Sequence, residues 1–231
     1  TVVLFDVIAE RDIQKHVRAI RTAVGNSVHG YSVDITREQN VKKAVARVVK
    51  KFKKIDILIN NAAMTDTSGT SNRFSAYEHY PLELWQREMD VDLTGSFLCA
   101  KAVMSHMMKA KSGVIVNVAS TYGVVGPDNR IYEKGKYRSL AYATAKSGIL
   151  NFTRALASYL APYGIRVNTF TPGGVYAGHD KKFTDAYATR TMLGRMAKKE
   201  EYQGPMLFLC SDASSYMTGS NVVVDGGWTA W

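Results

Sequence analysis

Cysteine is scarce in this 231-residue chain, and the two present, Cys99 and Cys210, fall within helical patterns as small core residues. A disulfide framework is not implied, and a reducing cytoplasm is the natural setting. Long apolar runs are absent as well, none approaching the roughly 18 residues that a membrane-spanning helix needs, so no membrane partner is expected. Five histidines (His16, His29, His79, His106, His179) show no metal-ligand spacing among themselves or with cysteine, and no metal site is expected. Internal repeats, linkers and low-complexity tracts are missing too. One domain over residues 1–231 follows, and an apolar share of 46% is enough for a sizeable core.

Acidic residues are outnumbered, 20 against 30 Lys and Arg, for a formal charge of +10. The densest cluster, Lys50-Lys51-Phe52-Lys53-Lys54, closes an amphipathic helix, where cations complement the helix dipole. No basic stripe with interleaved aromatics accompanies it, so a nucleic-acid partner is not expected.

What is present is an alternation of buried-strand and amphipathic-helix patterns. Residues 1–6 form a near-continuous apolar run closing on Asp6, as in a parallel strand buried on both faces. A helix is expected over 9–24, then a strand over 28–33 ending at Asp34-Ile35-Thr36. A capping box of Thr36 and Gln39 would start the next helix, whose apolar stripe is Val41, Ala44, Val45, Val48, Val49 and Phe52. Further strands are expected over 55–60, 113–120, 164–174 and 221–224. Between them lie a polar loop over 64–80 and helices over 81–111, 139–162 and 199–210. This order predicts an α/β fold, a doubly wound parallel sheet.

In the helix over 139–162, Tyr142 and Lys146 stand four residues apart and project from one face. A phenol is a poor acid or base near neutrality, and an ammonium beside it favours the phenolate. The pair can move a proton to or from an alcohol oxygen. An exposed, idle pair would have the same spacing, so the surrounding motifs decide.

Those motifs are Asn60-Asn61-Ala62-Ala63, Ser120 at a strand end, Arg166-Val167-Asn168 followed by Pro172-Gly173, and the closing Val224-Asp225-Gly226-Gly227. With Tyr142 and Lys146 in this order, the chain resembles the classical short-chain dehydrogenase/reductase family from residue 1 to residue 231. The resemblance implies a Rossmann-like fold and hydride transfer between a nicotinamide cofactor and a secondary alcohol or ketone. It implies that Ser120 hydrogen-bonds the substrate oxygen, that Tyr142 exchanges the proton, and that Lys146 tunes the phenol and holds the nicotinamide ribose. The cofactor would meet Asp6, Asp34, Ile35, Asn60, Ala62, Tyr142, Lys146, Pro172, Gly173 and Val175. A carboxylate at the position of Asp6 accepts bonds from the adenosine ribose and repels the 2′-phosphate of NADP, which favours NAD. Asn168 reads as structural. Homodimers or homotetramers, packed through the helices over 81–111 and 139–162, are typical of the family.

The chain also departs from the family pattern. No Gly-x-x-x-Gly-x-Gly loop stands at its start, so the expected fold apparently lacks its first strand and glycine-rich loop, a unit of about 30 residues. Ala63 stands where the family usually has Gly. Asp92, in Val91-Asp92-Leu93-Thr94-Gly95, occupies the position of the catalytic asparagine that helps hold a water linking the lysine to solvent. Ser120 and Tyr142 are 142 − 120 = 22 apart, longer than usual, which makes residues 126–139 a flap. There Arg130 or a neighbouring cation, with Tyr122, is expected to orient an anionic, hydroxyl-rich substrate through paired hydrogen bonds; a solvated loop is the plainer alternative. Residues 176–195 would form a lid. The flap and the Gly226-Gly227-Trp228 ending look like members associated with sugar or flagellin-glycan biosynthesis. Two other readings stay open: a 3-oxoacyl thioester reductase using NADPH, which Asp6 opposes, and a silent binding module, which Asp92 and the missing loop motivate.

Overall fold

Six strands carry the buried patterns in the computed structural model, which describes residues 1–25, 27–64 and 72–231. They are β1 (Val2–Asp6), β2 (Val28–Ser32), β3 (Ile57–Asn60), β4 (Gly113–Val118), β5 (Ile165–Pro172) and β6 (Asn221–Val224). All pairings are parallel, in two parts of order β1-β2 and β3-β4-β5-β6. Within each part, parallel pairing puts every carboxyl end on one rim, where such sheets bind ligands. Part of the polar loop expected over 64–80 lies outside the described residues.

Eight α-helices connect the strands: α1 (Glu10–Val24), α2 (Glu38–Phe52), α3 (Leu82–Met89), α4 (Gly95–Ala110), α5 (Thr121–Val124), α6 (Leu140–Leu160), α7 (Lys181–Ala188) and α8 (Gln203–Cys210). Successive strand residues face opposite layers. On β4, Ile115 joins a core with Val41 and Val45 of α2, Val103 and Met107 of α4, and Leu156 and Leu160 of α6. Its neighbour Val116 packs on the other face with Phe170 and Leu209 of α8. Burying each such side chain contributes about 1.5–3 kcal/mol. Helices on both faces of a parallel sheet are the doubly wound, Rossmann-like arrangement expected. Among the described residues no helix is long and apolar enough to cross a membrane.

Three local expectations are corrected. Thr36 and Gln39 form no capping box: α2 begins at Glu38, and the Thr36 amide and hydroxyl both donate to Asp34 Oδ1, at 2.9 and 2.7 Å. The Asp34 carboxylate closes a local turn and captures the hydroxyl that would have capped the helix. The helix over 81–111 is interrupted by a wider π turn at Asp90–Thr94, where the Gly95 amide reaches back to the Asp90 carbonyl. The segment over 199–210 starts as a 3₁₀ turn, Lys199–Tyr202, with Pro205 tolerated in the first turn of α8.

Candidate active site

A buried polar ladder sets the tips of the central strands. Asn60 Nδ2 on β3 donates to Asn117 Oδ1 on β4 at 2.8 Å, and Asn117 Nδ2 donates to Thr153 Oγ1 on α6 at 2.9 Å. Asn168 does the same further along: its Nδ2 donates to the Met217 carbonyl and its Oδ1 accepts from the Ser220 amide. That is the structural role expected of it.

Beyond the tip of β4, Ser120 caps α5, its Oγ accepting from the Tyr122 amide at 3.3 Å. The α5 and α6 backbones touch at Gly123, where a Cβ would stand 2.5 Å from the Lys146 carbonyl oxygen. Only glycine permits that approach. Lys146 is buried, and its Nζ donates to the Val118 carbonyl at 3.0 Å, two residues before Ser120. The same Nζ lies 5.7 Å from the centroid of the Tyr142 ring. Tyr142 belongs to the first turn of α6, and its amide donates to the Ser139 hydroxyl at 3.1 Å. The helix thus sets Lys146 beside Tyr142 and ties it to the strand tip two residues before Ser120.

Asp92 projects from the π turn and is fully buried. Its Oδ1 accepts from the Met64 amide at 2.6 Å, while Oδ2 has no hydrogen-bond partner among the described residues. Burial pushes its pKa up, against the opposing pull of the Lys146 charge. Between the unfolded carboxyl value and this raised value, the native state keeps a proton that the unfolded chain has released, so stability falls as pH rises through that window. Asp92→Asn retains the acceptor for Met64 and removes the charge. The variant is expected to gain on the order of 1–3 kcal/mol over the natural chain between pH 4 and pH 7. Urea unfolding at both values measures this, and an equal difference between the chains at both would refute it.

Aromatic residues pack beside Tyr142. Tyr122, Tyr187 and Trp228 are buried in one cluster with Tyr132, Tyr142 and Phe183 packed on it. Tyr132 comes from the 126–139 segment and Phe183 and Tyr187 from α7, so the expected flap and lid meet, with Tyr132 and Phe183 ring centroids 5.8 Å apart. Tyr187 and Trp228 are closer, at 4.5 Å, and the Gly174 amide donates to the Tyr187 hydroxyl at 2.5 Å. Asp128 of the flap also pairs with Arg190, just beyond α7, at 3.0 Å. The Tyr122 hydroxyl shares a 3.1 Å bond with that of Tyr132.

The flap cations sort differently from the expectation built on Arg130. Arg130 is exposed, and its fork grips Asp128 through Nε and Nη2, each at 2.8 Å. It is held by its own neighbour two residues away instead of facing Tyr142. The guanidinium at the site is Arg138, whose carbon stands 4.2 Å from the Tyr142 ring centroid and 5.8 Å from that of Tyr122.

The residues expected along the cofactor lie at strand ends. Asp6 is exposed at the tip of β1, its Oδ1 accepting from the Ile8 amide at 3.2 Å, and Asp34 follows β2. The Ile35 side chain packs into the core against Gly95, where a Cβ would stand 2.6 Å from Ile35 Cδ1. Asn60 and Ala62 lie at the end of β3, Pro172 and Gly173 at the end of β5, and Val175 in a parallel bridge with Ala197.

Glu88 escaped the sequence reading. It is fully buried on α3, one turn before Asp92, and accepts from the Arg73 Nε, the Ser139 hydroxyl and the Tyr80 hydroxyl, the last at 2.7 Å. Burial, with Glu88 alongside, pushes the Tyr80 phenol up. A lone carboxylate in a helix gives no periodic signal, so only its surroundings mark it.

Comparison with known proteins agrees with this geometry. A family model described as enoyl-(acyl carrier protein) reductase matches residues 1–229. Cis-4-hydroxycyclohexanecarboxylate dehydrogenase of Sinomonas cyclohexanicum is 36% identical over 217 residues, 92% of this chain and 81% of that protein. NAD-dependent glycerol dehydrogenase of Listeria innocua is 34% identical, covering 94% of this chain and 82% of its own length. A gluconate 5-dehydrogenase from Burkholderia cenocepacia, solved with NADP and tartrate, superposes with a TM-score of 0.87 at 27% identity, over 99% of this chain and 85% of that one. The chain belongs to the classical short-chain dehydrogenase/reductase family, nicotinamide-dependent oxidoreductases that move hydride between a secondary alcohol and a ketone.

Proposed function

We propose that this protein uses NAD to interconvert a hydroxylated small molecule and its ketone, with Ser120, Tyr142, Lys146 and Asp92 as the working groups. The observation that carries the reading is Lys146, which turns one of its three donors to the tip of β4 while its charge faces the Tyr142 ring. The remaining donors suit the hydroxyls of a nicotinamide ribose. The Ser120 hydroxyl donates to the substrate oxygen. Tyr142 takes the alcohol proton in oxidation and returns it in reduction, and the ammonium of Lys146 stabilises the phenolate as it develops. Asp92, fully buried and close enough to Lys146 to feel its charge, holds the ammonium in place beside the phenol. The hydride acceptor or donor is the chemistry that a bound nicotinamide supplies.

Asp6, Asp34 and the Ile35 backbone would hold the adenosine half, and Asn60, Ala62, Pro172, Gly173 and Val175 the nicotinamide half. An exposed carboxylate at the end of β1 is the donor set's mark of NAD preference. Asp6→Ala is expected to shrink the kcat/KM ratio of NAD over NADP by about 100-fold, the scale of a removed like-charge contact. An unchanged ratio would remove Asp6 from this role. The two free cysteines suit a reducing cytoplasm, and a homodimer or homotetramer through α4 and α6 completes the reading.

Titration of the complete polypeptide with NADH, followed by NAD-linked oxidation of secondary alcohols, tests the proposal. Enhanced NADH fluorescence and turnover are expected. Absence of both would favour a silent binding module.

A further inference from the structure

We infer that Arg138 anchors a carboxylate of the substrate, which makes hydroxy acids and their keto forms the substrate class of this site. The inference rests on the assignment of Tyr142 as the proton-transferring group. Arg138 lies on the face of that very ring, at 4.2 Å, and its buried Nε has no hydrogen-bond partner among the described residues. Among the described residues no carboxylate stands within ion-pair distance of it, whereas Arg130 is matched by Asp128 and Lys136 by Glu133. Burial opposes its charge, while the phenols of Tyr132, Tyr142 and Tyr122 around it favour the charge.

The backbone around Arg138 is fixed at both ends of the residue. Its amide donates to Asn129 Oδ1 at 2.9 Å, and its carbonyl accepts from the Tyr77 hydroxyl at 3.3 Å. The preceding Tyr137 amide donates to the Phe74 carbonyl at 3.0 Å. A guanidinium held this way keeps its planar fork ready for an acceptor, and the acceptor that fits two parallel N–H donors is a carboxylate. A half-buried cation with no counter-charge among the described residues costs free energy that an arriving anion recovers. The guanidinium lies over the Tyr142 ring, so a carboxylate at the fork and a carbinol oxygen at the Tyr142 hydroxyl belong to one small molecule. A short carbon chain or a six-membered ring joins the two groups. The rings of Tyr122, Tyr132 and Trp228, packed in the same cluster as Tyr142, suit such an apolar spacer.

The test uses the full-length protein with NAD and three alcohols: 4-hydroxycyclohexanecarboxylate, 4-methylcyclohexanol and glycerol phosphate. Arg138→Met and Arg138→Lys are compared with the natural chain, and Tyr142→Phe serves as the control for the site itself. In Arg138→Met the carboxylate substrate is expected to lose about 100-fold more in kcat/KM than the neutral alcohol, whose own loss reads the contact of the guanidinium with the Tyr142 ring. Arg138→Lys should fall between, because it keeps the charge and loses the fork. Cyclohexanecarboxylate should inhibit the natural enzyme competitively and Arg138→Met far more weakly. Equal losses on the acid and the neutral alcohol would overturn the carboxylate anchor while leaving the Tyr142 reading intact. So would a preference for the phosphorylated alcohol. Failure of the natural chain to oxidise any of the three, with Tyr142→Phe indistinguishable from it, would overturn both.

Discussion

Tyr142→Phe is expected to fold as the natural chain does and to turn over its alcohol about 10²–10⁴-fold more slowly, the range that positioned proton transfer contributes. The loss should fall on kcat, because the hydroxyl acts when the proton moves and contributes little to holding the ring in place. The phenyl ring keeps its place beneath Arg138 and within the aromatic cluster, so packing is conserved. Lys146 keeps its bond to the Val118 carbonyl, so NADH affinity should change by less than threefold. Stopped-flow turnover and NADH fluorescence separate the two quantities. A variant that loses NADH binding in step with turnover would mean that the hydroxyl serves the cofactor and not the proton.

The second large effect concerns stability. Glu88→Ala is expected to cost about 3–5 kcal/mol, the usual result of removing one partner of a buried ion pair. In a chain of this length that lowers Tm by on the order of 10 °C. The carboxylate accepts from Arg73, Tyr80 and Ser139 at once, and Arg73 and Ser139 are buried with it. Ser139 also caps α6, so its hydroxyl ties Glu88 to the first turn of the helix that carries Tyr142. Loss of Glu88 should fray that turn, and kcat should fall even where the protein is still folded. Ser139→Ala removes the cap together with one Glu88 contact, at a cost of about 1–2 kcal/mol. Calorimetry on the three chains measures the series, and a Glu88→Ala loss below about 1 kcal/mol would show that the network contributes little.

Glu88 and Arg130 show where sequence reading stopped. Arg130 is basic, lies in the long segment before Tyr142, and sits eight residues from Arg138, so composition does not tell the two apart. The difference arises because Asp128 is close enough along the chain to capture the first guanidinium, while Asn129 and Tyr77 turn the backbone of the second toward the ring. Tyr77 and Arg138 are 61 residues apart, and no local pattern links them. The same holds for Arg73, Tyr80, Glu88 and Ser139, which converge from four separate segments. Asp92 was legible as a departure from a motif, but its burial, its idle Oδ2 and the π turn that aims it were not.

The sequence by itself determined the alternation of strands and helices, because periods of two and 3.6 residues are written in local side-chain order. It also determined the pairing of Tyr142 with Lys146, because four residues of helix place two side chains on one face without help from the rest of the chain. Tertiary structure alone decided which cation faces the phenol, which carboxylate ties the start of α6 to α3, and how Tyr132, Phe183 and Trp228 join one aromatic cluster. Those are contacts between residues far apart in the chain, and they are selected by burial and charge only once the sheet has brought its tips together.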